Sequence, residues 1–284
     1  MNVISAGEAI DQAYRRLTNE GVESPRLDAE LLLAHVLNTN RAAVLAHPER
    51  HLTQKELTRF RTLLARRAAR EPLAYVLGWR EFYGLDFAVD ARVLIPRPET
   101  ELLVERTVAL ARRLPAPRIA DVGAGSGAIA VTLAVQLPAA LIFALDESAG
   151  ALAVTEANAR RHGVAGRVRC LRGDLLDLLP EPVDLITANL PYVTSEEWAG
   201  LPPEIREYEP RTALDGGRDG LDLVRRLLAT AHPHLKPGGA ILLEIGAAQG
   251  MAATAAARTH YPTAGVRLEQ DYAGLDRLVV IETV

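Results

Sequence analysis

From Arg118 onward, short apolar runs alternate with helical stretches, and no other feature of the chain constrains its fold as tightly. Ile119 to Val122 reads as a strand, Ala128 to Leu137 as a helix, and Leu141 to Leu145 as a second strand that ends in Asp146. A third strand near Val168 to Leu171 leads to Gly173-Asp174-Leu175, and a fourth, Val183 to Ala188, runs directly into Asn189. Lys236-Pro237-Gly238-Gly239 reads as a turn into a further buried strand, Ala240 to Ile245. Strands joined through helices pair in parallel, so the pattern predicts an α/β, Rossmann-like domain, a mainly parallel sheet with helices on both faces. Ligands of such sheets bind at the carboxyl ends of the strands. The segment Gly123 to Gly127, Asp146, Asp174 and Asn189 all fall at such ends.

The preceding residues follow a different period. Ser5-x-x-Glu8 is a capping box, followed by Ile10, Ala13, Tyr14 and Leu17 at helical spacing. Ser24-Pro25 opens a second helix, whose Leu27, Leu31, Leu32, His35 and Val36 are expected on one face. Thr53-x-x-Glu56 opens another, with Leu57, Phe60 and Leu64 on one stripe. Arg59, Arg66 and Arg70 are expected on a solvated helix face, and His35 in core or edge packing. Glu81 to Phe87 reads as two short strands around a glycine turn. In Ile95-Pro96-Arg97-Pro98-Glu99-Thr100-Glu101 the prolines keep the backbone extended, Pro98 suits the first position of a helix, and Arg97 could form the wall of a ligand site. The organisation expected is a helical bundle for substrate recognition at 1–77, a hairpin and linker at 78–97, and the Rossmann-like domain at 98–284.

Composition excludes several functions. A net charge of −4 and a pI near 6.0 argue against a whole-surface nucleic-acid binder. Cys170 is the only cysteine, so no disulfide can form within the chain, and a lone thiol in an apolar stretch reads as a small hydrophobe. No cluster of His or Cys has metal-ligand spacing, so no metal is expected. Met1 to Glu8 lacks a basic region followed by an apolar run, and no stretch approaches the roughly 20 apolar residues of a membrane span. A cytoplasmic protein without a membrane partner is expected.

The turn Gly123-Ala124-Gly125-Ser126-Gly127 lets the backbone approach a ligand closely, with a helix N-terminus offering N–H groups. Gly123-x-Gly125-x-x-Ala128 with Asp146 behind it also satisfies the dinucleotide fingerprint. S-adenosyl-L-methionine is favoured over a nicotinamide cofactor on three residues. Asp121 could reach the amino group of a methionine moiety, Asp174 could bond an adenine amino group, and Asn189 ends the fourth strand. Asp146 is placed to take both ribose hydroxyls, and no hydride-transfer pair such as Tyr-x-x-x-Lys is available.

Asn189-Leu190-Pro191-Tyr192 is suited to gripping a planar amide or amino group. The Asn side chain offers an acceptor and a donor, and the Leu190 carbonyl a second acceptor. Pro191 holds Leu190 extended, and Tyr192 supplies an aromatic wall with a polar tip. Alone, the same four residues also fit an ordinary turn.

Three runs together, Ile95 to Glu101, Asp121 to Ala130 and Asn189 to Tyr192, resemble the PrmC/HemK group of peptide chain release factor glutamine N5-methyltransferases. Glu209-Pro210-Arg211, Gly216-Gly217-Arg218-Asp219-Gly220, Pro237-Gly238-Gly239 and Asp271-Tyr272-x-Gly274-x-x-Arg277 extend the resemblance over essentially the full chain. It implies a class I methyltransferase with a helical N-terminal domain. The reaction implied is methyl transfer from S-adenosyl-L-methionine, leaving S-adenosyl-L-homocysteine, to the Gln of a Gly-Gly-Gln motif, which modulates translation termination. Release factors 1 and 2 would be the protein substrates, no direct nucleic-acid contact is expected, and the enzyme would be a monomer. Asn189, Pro191 and Tyr192 would be catalytic, and Asn189 to Tyr192 with Arg97 and Pro98 would bind substrate. Asp121, Gly123, Ala124, Gly125, Ser126, Gly127, Asp146, Asp174, Leu175 and Asn189 would bind the cofactor.

The family usually has Asn-Pro-Pro-Tyr, so Leu190 departs from it, and Asn-Leu-Pro-Tyr also looks like the ribosomal RNA adenine N6-dimethyltransferases. The alternatives are therefore an adenine N6-methyltransferase acting on ribosomal RNA or DNA, or a non-catalytic S-adenosylmethionine binder. The Ile95 to Glu101 run and the acidic charge favour the glutamine reading.

Overall fold

The computed structural model describes residues 4–284, so the part of the N-terminal reading that rests on residues 1–3 lies outside them. The chain forms two compact units. One runs to Gly78 and also takes in Pro202–Tyr208; the other comprises Trp79–Leu201 and Glu209–Val284.

The first unit is helical, with α1 (Ala6–Asn19), α2 (Pro25–Val36), α3 (Arg41–Ala46), α4 (Gln54–Ala68) and α5 (Leu73–Leu77), joined by α9 (Pro203–Tyr208). Both capping boxes form, Ser5 with Glu8 and Thr53 with Glu56. The core holds Leu17, Leu32, Leu33 and Phe60. The apolar face of α2 differs from the expected one. Ala29, Leu32, Leu33 and Val36, spaced as successive turns require, are buried, while Leu27 is 41% exposed.

The arginines of α4 and of the turn after it also depart from a merely solvated face. Arg66 donates to both oxygens of Glu71, and Arg70 makes a two-point pair with Glu204 of α9. Arg67, buried, joins Asp28 of α2 to the same Glu204, and burial raises the Asp28 carboxyl despite this partner. Ion pairs between residues this far apart in the chain leave no mark in a helical period. His35 sits half-buried at an edge beside Arg59, and burial, helped by that charge, lowers its pKa.

The second unit begins with the hairpin β1 (Trp79–Phe82) and β2 (Leu85–Ala88), whose Phe82 and Phe87 are buried in its core. There follow α6 (Glu101–Ala111), β3 (Arg118–Val122), α7 (Ala128–Gln136), β4 (Leu141–Asp146), α8 (Ala149–Arg161), β5 (Val168–Arg172) and β6 (Val183–Ala188). After α9 come α10 (Asp222–Thr230), β7 (Leu235–Glu244), α11 (Gly250–His260), β8 (Gly265–Gln270) and β9 (Asp276–Glu282).

Seven strands make one sheet in the order β5-β4-β3-β6-β7-β9-β8. The pairs from β5 to β7 are parallel, and β9 pairs antiparallel with both β7 and β8. Alternate residues feed two cores, as a sheet covered on both faces requires. Ile119, Ile142, Leu185 and Leu242 pack toward α6 and α7, while Ala120, Phe143, Ile186 and Ile241 pack toward α10 and α11. Cys170 packs half-buried against the first of these cores, and burial pushes its thiol up to about 11. The strand order reverses between β3 and β6, the switch point at which open α/β sheets bind ligands.

Candidate active site

A cleft of about 910 Å³ opens over the carboxyl ends of β3 to β6. Its wall includes Gly123 and Gly125, Asp146, Gly173 to Leu175, and Asn189, Leu190 and Pro191. Four separate strand ends thus converge on one space, because parallel pairing puts all their carboxyl ends on one side.

The glycine turn is held from both sides. Gly123 and Ala124 donate to the Leu145 carbonyl at 2.9 Å, and Gly125 donates to Asp146 Oδ2 at 2.9 Å. From α8, the Thr155 hydroxyl donates to the Gly125 carbonyl and Asn158 Nδ2 to that of Ser126. Only two of the five turn residues reach the cleft wall, a correction to the expectation for the others. Ala124 and Ser126 are buried, and Gly127 packs so closely on Thr155 that a Cβ there would lie 2.9 Å from its methyl.

Asp121 is a second correction. It is completely buried beneath the turn, with Oδ2 accepting from the Ala130 N–H at 3.0 Å and Oδ1 from the Thr187 hydroxyl at 3.3 Å. It supports the turn from below instead of facing the cleft, and burial raises its carboxyl to about 7. The N–H groups of Gly123, Ala124, Gly125, Gly127 and Ala130 are engaged within the protein.

Asp146 lies on the cleft wall, with Oδ1 accepting from the Ser148 N–H at 2.8 Å. Asp174 also lines the cleft and pairs with Arg226 at 2.5 Å. Leu175 beside it also lines the cleft and has φ +47, an uncommon conformation for a leucine.

Asn189 is half-buried where β6 ends, and its Nδ2 donates to the Thr100 hydroxyl at 3.1 Å. That bond turns the Asn189 carbonyl oxygen the other way. Leu190 is buried, its side chain in the apolar core and against Gly123, 3.4 Å from where a Cβ of that glycine would stand. The residue that departs from the usual family pattern is buried and packs its side chain in apolar space.

Tyr192, Arg97 and Pro98 stand off the cleft wall, a correction to the expectation of a wall built by Arg97 and Pro98. Arg97 donates to Glu209 Oε1 at 2.5 Å, and Pro98 opens a short 3-10 turn, Pro98–Thr100, ahead of α6. The other Glu209 oxygen accepts from the Ile95 N–H, so one buried carboxylate secures the whole proline-rich segment. Burial, reinforced by Glu244, pushes the Tyr192 hydroxyl up to about 12, so it keeps its proton.

Sequence reasoning missed the residues that hold the tetrapeptide in place. Gln249 Nε2 donates to the carbonyls of Tyr192 and Asp219 while its Oε1 accepts from the Gly246 N–H. Gly216 donates to the Val193 carbonyl, and Ser195 to that of Gly217. Glu209 and the glycines lie in runs that carried the family resemblance, but nothing in the spacing tied them to Asn189. Gln249 had no signal.

A mainly parallel seven-stranded sheet of this order, with its cleft at the switch point, defines a class I methyltransferase fold. A solved ribosomal protein L11 methylase from Lactobacillus delbrueckii subsp. bulgaricus shares it, with a TM-score of 0.50 at 18% identity over 66% of this chain and 81% of that one. Residues 8–78 match the PrmC N-terminal domain, and residues 98–200 the methyltransferase small domain. A release factor glutamine methyltransferase of Nitratidesulfovibrio vulgaris is 44% identical over 94% of this chain and 91% of its own length. Its counterpart in Moorella thermoacetica is 45% identical over 95% of each. The chain belongs to the release factor glutamine methyltransferase family.

Proposed function

We propose that this protein transfers a methyl group from S-adenosyl-L-methionine to the side-chain amide nitrogen of a glutamine in peptide chain release factors 1 and 2. The target is the Gln of their Gly-Gly-Gln motif, the consequence a modulated translation termination, and the enzyme works as a cytoplasmic monomer. The observation that carries the reading is Asn189, fixed through its NH2 group to Thr100 at the rim of the cleft, with its carbonyl oxygen left to meet an N–H. Among the described residues no helix is long and apolar enough to cross a membrane, and no cluster of His, Cys, Asp or Glu could hold a metal ion.

The cleft suits the cofactor. Gly123 and Gly125 offer close backbone approach, Asp146 a carboxylate for ribose hydroxyls, and Asp174 and Leu175 an edge and a flank for the adenine. When bound, S-adenosyl-L-methionine supplies a methyl group already activated by the positive sulfur. The protein's own part is positioning, because an amide nitrogen, with its lone pair delocalised into the carbonyl, is a poor nucleophile. Asn189 and the Leu190 carbonyl accept the amide hydrogens and favour the positive charge that grows on nitrogen.

Mass spectrometry of release factors incubated with the protein and labelled cofactor is expected to find one methyl group on the motif glutamine, with ribosomal RNA unlabelled in a parallel reaction. Label on RNA alone would overturn the proposal. Asp146→Ala is expected to weaken cofactor binding about tenfold or more in calorimetry, since the variant loses the carboxylate and the anchor of the Gly125 N–H. Unchanged affinity would remove Asp146 from the cofactor site.

A further inference from the structure

Glu244 is the last residue of β7, and β7 pairs in parallel with β6 so that Leu243 stands opposite Ala188. The next position on each strand is Glu244 and Asn189, which are therefore neighbours at the two strand ends. Glu244 is 1% exposed, and neither carboxylate oxygen has a hydrogen-bond partner. An unpartnered buried carboxylate is costly, so its retention here calls for a role. The groups facing it are the Thr100 hydroxyl and the Asn189 amide, with Glu99 ahead of α6, Arg277 on β9 and the hydroxyl of Tyr192. Arg277 is itself engaged with Asp271 and with the Ile245 carbonyl, so it does not neutralise Glu244 by contact.

We propose that Glu244 is a positioning residue for the methyl-transfer site, acting on Asn189 through Thr100. The ionised carboxylate takes the Thr100 O–H, which turns an oxygen lone pair of Thr100 toward Asn189 Nδ2. Asn189 then presents its carbonyl oxygen to the substrate amide, and the polarised chain strengthens that acceptor. A protonated Glu244 would donate instead, competing for the same Thr100 oxygen and loosening the amide. Burial raises the Glu244 carboxyl to about 7, within the range where activity can be measured. This inference rests on the reading of Asn189 as the amide grip.

The test is the rate of release factor methylation by the full chain between pH 6 and 8, with cofactor affinity measured alongside. In the wild type, kcat is expected to rise about tenfold through this range, as one ionisation near its midpoint requires. Glu244→Gln keeps an acceptor for Thr100 without ionising, so its kcat should be flat across the range and below the wild-type plateau. Glu244→Ala should lose about tenfold or more in kcat, with KM for the release factor and cofactor affinity within about twofold. Should Glu244→Ala fail to fold, the flat profile of Glu244→Gln still decides. Asn189→Ala is assayed in parallel. If it stays active, the amide-grip reading and this inference fall together. If it is inactive while Glu244→Gln keeps the wild-type pH dependence, the inference about Glu244 alone is overturned.

Discussion

Asn189→Ala is expected to lower methyl transfer about a hundredfold or more while cofactor binding stays within about tenfold (~1.4 kcal/mol). The asymmetry follows from the placement of the side chain. Asn189 lies where β6 ends, on the wall of the cleft, and its one protein hydrogen bond runs to Thr100, away from the glycine turn and Asp146. Alanine removes the acceptor for the substrate amide and leaves the turn with its supports from Thr155, Asn158 and Asp121 intact. An interaction made chiefly as charge grows on the amide nitrogen appears in kcat and not in ground-state binding. Single-turnover methylation with equilibrium cofactor binding would check this. Near-normal turnover would mean that the amide is held elsewhere.

Gly220→Ala should be nearly as damaging to activity and should also cost stability. Gly220 has φ +75, and a Cβ there would lie 2.1 Å from the Tyr192 carbonyl oxygen and 2.2 Å from Gln249 Nε2. Backbone strain alone costs about 1–2 kcal/mol, and the contact cannot be relieved by rotating a side chain, because the carbonyl belongs to the backbone. Either the Gly216–Gly220 loop or the tetrapeptide must move, and Gln249 loses its bonds to Tyr192 and Asp219. A displacement of about 1 Å at a positioned amide grip is enough for about a hundredfold loss of rate. Gly238→Ala is the control. Its φ is +73 but nothing lies within 4 Å of the added carbon, so only the strain remains, and thermal unfolding should fall slightly with full activity retained. Equal activity loss in the two variants would show that strain, not the contact with Tyr192, is responsible.

Much of the fold was legible because strand and helix periods are local. The stretch Val183 to Ala188 is largely apolar and bounded by loops, and it forms the strand β6 with those limits. The capping boxes at Ser5 and Thr53 are likewise local and form as written. Leu27 falls outside the buried face because a short helix offers more than one apolar stripe, and the neighbours it meets decide which stripe is buried. Asp121 departs from its expected place for a related reason. Its position before the glycine turn is fixed by the sequence, but whether its side chain enters the cleft or lies under the helix depends on Thr187, a residue of a neighbouring strand.

By itself, the sequence determined the alternation of strand and helix, the glycine turn, and the amide-gripping tetrapeptide, since each depends on residues close together in the chain. Tertiary structure decided what holds them. Thr100, Glu209, Gly220, Glu244 and Gln249 come from separate segments, and only the pairing of β6 with β7 and the return of the Gly216–Gly220 loop bring them to Asn189 and Tyr192. Hydrogen bonds and close backbone contacts between distant segments leave no periodic trace, so the scaffold of this site exists only in the folded chain.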